Sequence, residues 1–493
     1  MIRGASGILA LSLMCVSPAM AHGPIAIING EPVVWSNFPV TYNVDLGTLG
    51  IFTNEQATEL TDNSFAAWND VSTSSFAAVN GGHLSVDVTE MNYDQFIGSI
   101  STFNDGINPV VFDTDGRIID LMFGGGASST VLGYAQPAFN PIERAFIEAE
   151  VVINGVPTTR FSPLEIMSTI VHELGHLAGL DHTQINGNLA FTGNRNDTAF
   201  IPTMYPTSTQ NDEPLAELNP DDMAGLTMLY PNERASAEFG TLKGAVNRTT
   251  GEPVLGANVL ARMVDNELMN AFSSVSDYRM QNTGEWEMLV FPGTYRLSIE
   301  PINSRFVEGS SVGPYADSAN DLSFLNPVAP QECSQTFTVA AGETLDGVNI
   351  VAGGECSRNS QGDGVVTETD PCIVMATDRV SYLEGQTVTV SFRIIAGTRN
   401  NVVDWYWLGL APDGLIYNMA DFLPQSENFT PYRENYTATS HQEQKSFLLS
   451  GIPEGLYTWG VVFTPPGADV LDSSTWTCEP STTSFIFILG QGQ

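Results

Sequence analysis

Apolar residues recur at helical spacing through the stretch 162–178. With Met167 set at zero and about 100° allowed per residue, Ile170, Val171, Leu174 and Ala178 fall within roughly 60° of it. That stripe predicts a helix with one buried face. Its start is marked by SPLE, with Ser162 as N-cap, Pro163 in the first turn and Glu165 three residues after the cap. His172 and His176 come out near 140° and 180°, away from the stripe. Four residues apart, they are neighbours on one face.

The same reading extends along the chain. FPVTYNVDL (38–46) alternates as a strand does, and LSVDV and EAEVVING read as further strands. Thr53 and Gln56 are spaced as a capping box, ahead of a helical stripe of Ala57, Leu60, Ala67, Trp68 and Val71. From about residue 237 the texture changes to short strands separated by turn residues, as in a small β-sandwich. The run 356–371 is polar and aperiodic and reads as a linker, and 372–493 is again β-rich. These shifts divide the chain into 1–21, 22–236, 237–355, a linker and 372–493. Trp405, Tyr406 and Trp407 are either an exposed aromatic patch or core; alternation sets Tyr406 opposite the two tryptophans and favours core.

Composition narrows the partners. The 493 residues carry a formal net charge of −38, which argues against nucleic acid or an anionic membrane. Met1–Ala21 has Arg3, a short apolar run and an Ala19-Met20-Ala21 cleavage pattern, so a secretory signal cut after Ala21 and an extracellular location are expected. No transmembrane segment is expected. The four remaining cysteines suggest two disulfides, Cys333–Cys356 and Cys372–Cys478 being the favoured pairing of three.

The chemistry concentrates in HELGHLAGLDH, residues 172–182. A catalytic zinc takes three protein ligands and leaves one position open. His172 and His176 supply two from one helix face. The third requires the helix to end and the chain to turn back; Gly179 suits a left-handed turn and His182 follows. Glu173 lies beside the first ligand as a candidate catalytic base. Asp181 reads either as support for a ligand or, preferably, as a solvent-exposed acid. A second ion, calcium, is suggested by Asp113, Asp115 and Asp120 around Gly116, which an acidic β-turn explains equally well.

With the motif in hand, the chain resembles the metzincin zinc metallopeptidases, and the matrixin branch in particular. Met204 in PTMYP stands where that family has its methionine turn, and Asp221 and Asp222 match the paired acids opening its last helix. VLGYAQPAF (131–139) resembles the edge strand that pairs with substrate, implicating Leu132, Gly133, Tyr134 and Ala135. Residues 240–350 resemble a carboxypeptidase regulatory-like sandwich.

The resemblance implies an α+β metzincin-type catalytic domain, a twisted sheet plus three helices, followed by two all-β sandwich domains. It also implies a secreted endopeptidase with one catalytic Zn2+, acting on protein or peptide substrates. Tyr134 and Glu150 replace two ligands of the structural zinc usual in matrixins, so that ion is not expected. Neither a prodomain nor a cysteine latch is expected, and Tyr205 is not assigned as a ligand. The alternative is a surface-binding or adhesion protein with a subsidiary or inactive metzincin domain, whose C-terminal β-domains engage polysaccharide or a cell-surface ligand.

Overall fold

The computed structural model describes residues 23–98, 105–191, 194–248, 250–302, 306, 310–315, 336–352 and most of 371–488. The signal stretch, the linker and the cysteine pairings lie outside the described residues or side chains. Two compact units result. The first holds Met1–Thr183, Arg195–Gly240 and Ser311–Asp317; the second holds Gln184–Asn194, Thr241–Ser310 and Ser318–Gln493.

The first unit is built on strands β1 (Ile27–Ile28), β2 (Glu31–Pro32), β3 (Val40–Val44), β4 (Ala78–His83), β5 (Pro109–Asp113), β6 (Gly133–Asn140) and β7 (Ala145–Asn154). Five of these form one sheet in the order β4-β3-β5-β7-β6. The β4-β3-β5-β7 pairs run parallel, and β6 is antiparallel to β7 at the edge. Helices α1 (Asn54–Asn69) and α3 (Pro163–Leu177) share its core, where Trp68, Val151, Val171 and Leu174 are buried together. Both helices open with the capping boxes read from sequence, Thr53 with Gln56 and Ser162 with Glu165.

Helix α3 is held along its length by long-range donors. Trp68 Nε1 donates to Val171 O at 2.9 Å and Trp35 Nε1 to Leu177 O at 2.8 Å. Tyr230 Oη donates to Ala178 O at 2.6 Å, beside the C-terminal carbonyls that a helix leaves open. The chain then turns at Gly179, whose φ of +98° lies in the left-handed region. A Cβ there would also meet Phe146 Cε2 at 2.7 Å.

In the second unit, one sheet joins Gly240–Arg248 with Glu285–Val290 and Thr344–Leu345. A second joins Ala271–Val275, Ala257–Met263, Gly293–Pro301 and Phe337–Val339. Beyond residue 371 a three-stranded and a seven-stranded sheet share a core in which Phe392 meets both Trp405 and Trp407 edge-on, at 5.1 and 4.7 Å. Tyr406 belongs to a separate cluster with Val462 and Val470, as alternation along the strand requires.

The expected fold class is corrected. Among the described residues there are twenty-five strands and five α-helices, so the chain is mainly β rather than a three-helix catalytic domain with β appendages. Two helices were not anticipated: α2 (Arg117–Phe123) and α5 (Ala235–Glu238), on either side in sequence of α4 (Pro220–Leu229). No described helix is long and apolar enough to cross a membrane. Gly179→Ala is expected to lower unfolding free energy by about 2 kcal/mol or more, from left-handed strain plus overpacking. A urea melt checks this, and an unchanged midpoint would contradict the turn.

Candidate metal centre

The three histidines of the motif converge. His182 Nε2 lies 3.2 Å from His172 Nε2 and 3.1 Å from His176 Nε2. Each opposite ring nitrogen faces a backbone carbonyl: His172 Nδ1 to Thr203 O at 2.7 Å, His176 Nδ1 to Leu180 O at 2.8 Å, His182 Nδ1 to Ser311 O at 2.9 Å. A carbonyl only accepts, so each Nδ1 carries the hydrogen and each Nε2 presents a lone pair. Burial holds all three rings below the usual histidine range, His176 to about 3 and His182 well down, so they are neutral.

Three lone pairs facing one another with no proton to share repel, and a cation among them removes the repulsion. The residues present therefore fit a metal ion. Among the described residues this is the only group of three or more metal-capable side chains.

Glu173 is 7% exposed and stands beside the cluster on α3. A Cβ on Gly133 would meet its Oε1 at 2.8 Å, so glycine there is what lets edge strand β6 pass over the carboxylate. Burial pushes the Glu173 carboxyl up to about 8. Leu132 precedes β6, and Gly133, Tyr134 and Ala135 pair with Ile153, Val152 and Val151 of β7.

Below the helix, Met204 is fully buried against the space that Gly175 leaves open. Its turn is pinned by Asp222, which accepts from Thr203 N at 2.9 Å and from Met204 N at 3.1 Å. The same carboxylate caps α4 by accepting from Asn219 N at 2.8 Å. One side chain thus ties a helix start to the turn whose Thr203 carbonyl orients His172. Asp221 is buried beside it.

Other expected residues lie apart or play other parts. Asp113 accepts from Ile119 N at 2.8 Å, Asp115 pairs with Arg117 at 3.1 Å, and Asp120 accepts from Ser128 N at 2.8 Å. They brace α2 and its exit, and do not gather into one site. Tyr134 Oη donates to Gln136, and Glu150 accepts from Gly98 N at 2.8 Å. Asp181 corrects the sequence reading: it is 1% exposed, not solvated. The carbonyls of Thr203, Leu180 and Ser311 were missed. Main-chain acceptors leave no mark in side-chain identity, and Ser311 is 129 residues from its partner.

No family model matches the chain, and no curated protein matches it. The chain is similar to the CARDB domain of a Pyrococcus furiosus protein in complex with di-metal ions, at 9% identity. That match covers 27% of this chain and 98% of the other, with a TM-score of 0.16. The major pilin subunit BcpA of Bacillus cereus matches at 10% identity over 52% and 70%, with a TM-score of 0.16. A streptococcal ancillary pilin matches at 11% over 53% and 61%, with a TM-score of 0.14. Likenesses at this level carry no argument about activity.

No family model and no curated peptidase matches the chain, and the resemblance drawn from the motif is corrected accordingly. The metzincin and matrixin assignment, the regulatory-like sandwich named with it, the endopeptidase activity and its peptide substrates are not carried forward. What stands is the local geometry: three histidines able to hold a metal.

Asp222→Ala leaves three buried backbone donors without their acceptor. It is expected to lower unfolding free energy by about 2–4 kcal/mol in a denaturant melt; a loss below about 0.5 kcal/mol would contradict the pinning. The raised Glu173 carboxyl stabilises the metal-free fold fully below about pH 4.5, and that contribution is lost as pH rises through 8. The lowered His176 contributes above about pH 6.5 and is lost as pH falls toward 3. Metal-free protein is therefore expected to lose stability between pH 6 and pH 9 in a way that Glu173→Gln does not. Equal losses in both proteins would contradict the burial of a neutral carboxyl.

Proposed function

We propose that this chain is an extracellular surface-binding protein that carries one zinc ion on His172, His176 and His182. His182 Nε2 lies 3.1–3.2 Å from each of the other two Nε2 atoms, and all three ligand atoms lie within 4.8 Å of one another, which supports the metal reading. A tetrahedral zinc with bonds of about 2.0–2.1 Å spaces its nitrogens by roughly 3.3 Å. All-imidazole donors also suit zinc better than calcium or magnesium, which take oxygen. When bound, the ion supplies a Lewis-acidic centre with one position open beyond the three rings. The chain's own contribution is to orient the rings through their Nδ1–H donations, and to bury the Glu173 carboxyl beside them. No reaction is assigned to that carboxyl.

The surface-binding reading rests on the β-rich remainder. In the seven-stranded sheet Trp405, Trp407, Trp459 and Phe463 are core, and among the described strands Leu423–Gln425 stands at the end of the order, paired with Ile416–Asn418. Leu423 on that strand is 57% exposed, and Leu410, at the end of Val402–Leu410 two strands in, is 46% exposed. An edge with apolar side chains suits an extended protein segment or an apolar sugar face at a cell surface.

Dialysed protein titrated with Zn2+ in a calorimeter is expected to bind one ion per chain. His176→Ala is expected to bind at least about a hundredfold more weakly, and Glu173→Gln to bind as the parent does. A parent that takes no zinc would contradict the metal reading. A Leu410→Asp/Leu423→Asp pair is expected to lose retention on protein- or polysaccharide-coated surfaces while keeping its zinc; retention equal to the parent on every surface would contradict that edge as the binding site.

A further inference from the structure

The third ligand is held differently from the other two. His176 is oriented by Leu180, four residues on, and His172 by Thr203 in the turn pinned by Asp222. His182 depends on Ser311, from a segment grouped with the first unit although Thr241–Ser310 groups with the second. Ser311 is buried and Val312 has no exposure at all. Gly313 sits at a φ of +79° and its N–H donates to Asp181 Oδ2 at 3.4 Å. Asp181, next to the ligand, also donates its own N–H to Gly23 O at 3.2 Å. Its second carboxylate oxygen, Oδ1, is buried with no hydrogen-bond partner.

We propose that Ser311–Gly313 is a retaining strap for the metal centre. The Ser311 carbonyl fixes the tautomer and tilt of the His182 ring, and the Gly313 N–H anchors the strap to Asp181. The proposal rests on the reading that the three histidines hold a metal. Ser311, Gly313 and Asp181 are positioning residues; none of them touches the ion. If the strap leaves, the His182 ring loses its carbonyl acceptor, leaving Asp181 Oδ1 3.8 Å from its Nδ1, and Asp181 loses a donor to a carboxylate already short of one. A ligand freed to rotate binds less well even though the other two stay in place. Partners of metal-bound histidines commonly carry effects of about 10–100-fold on affinity.

The test measures Zn2+ affinity by competition with a chromophoric chelator on the full mature chain. Gly313→Ala strains the strap backbone at a positive φ without altering any ligand. It is expected to raise the dissociation constant about 10–100-fold. Gly347→Ala, also at positive φ (+74°) but with open space around it, is expected to leave it unchanged. Asp181→Ala is expected to weaken binding, and Asp181→Asn, which keeps an acceptor oxygen for Gly313, to restore most of it. That rescue separates anchoring from general loss of structure, and it still decides the matter if Gly313→Ala does not fold. Parent-like affinity in both Gly313→Ala and Asp181→Ala overturns the strap while leaving the metal centre standing. A parent chain that binds no Zn2+ overturns both.

Discussion

Three ring nitrogens within 4.8 Å of one another, His182 Nε2 a little over 3 Å from each of the other two, are the constraint around which the first unit is arranged. Neutral imidazoles do not gather Nε2 to Nε2 of their own accord, because each offers negative density to the others. The fold imposes it by giving every Nδ1–H a carbonyl to donate to, from Thr203, Leu180 and Ser311. Burial keeps the rings from escaping the conflict by taking up protons. The cluster thus stores an unfavourable contact that a cation would turn into a favourable one.

Supports around it recruit distant parts of the chain. Trp68 and Trp35 reach α3 from positions 103 and 142 residues away, and their indoles are both packing bodies and hydrogen-bond donors. Asp222 links the α4 cap to the Met204 turn, so the orientation of His172 depends on a helix that follows it by some fifty residues. The strap at Ser311 extends the same logic farther. Two of the three ligands, His172 and His182, are oriented by non-local carbonyls, and His176 by the nearby Leu180.

Much of the local structure was legible in advance. The capping boxes at Thr53 and Ser162, the stripe from Ile170 to Ala178, the left-handed Gly179 and the core placement of Trp405 and Trp407 all follow from periodicity or from backbone sterics, which a sequence states directly. Asp181 was misread because a lone acid beside a turn is usually solvated; only a tertiary partner such as Gly313 makes it buried. The aspartates from 113 to 120 were weighed as oxygen ligands, yet they brace a short helix, since acids near glycine serve either purpose. The family assignment went furthest beyond its warrant. Eleven residues specify a turn of helix and three ring positions, whereas activity depends on the whole site and on what reaches it.

The central claim is that the histidines hold a metal through three nitrogens at once. X-ray absorption at the zinc edge on chain loaded with one equivalent of Zn2+ tests it most directly. The account expects a shell with three imidazole nitrogens at about 2.0–2.1 Å and the multiple scattering that imidazole rings produce. A first shell of oxygens without ring scattering, or one that persists unchanged when His182 is replaced by Ala, would contradict it.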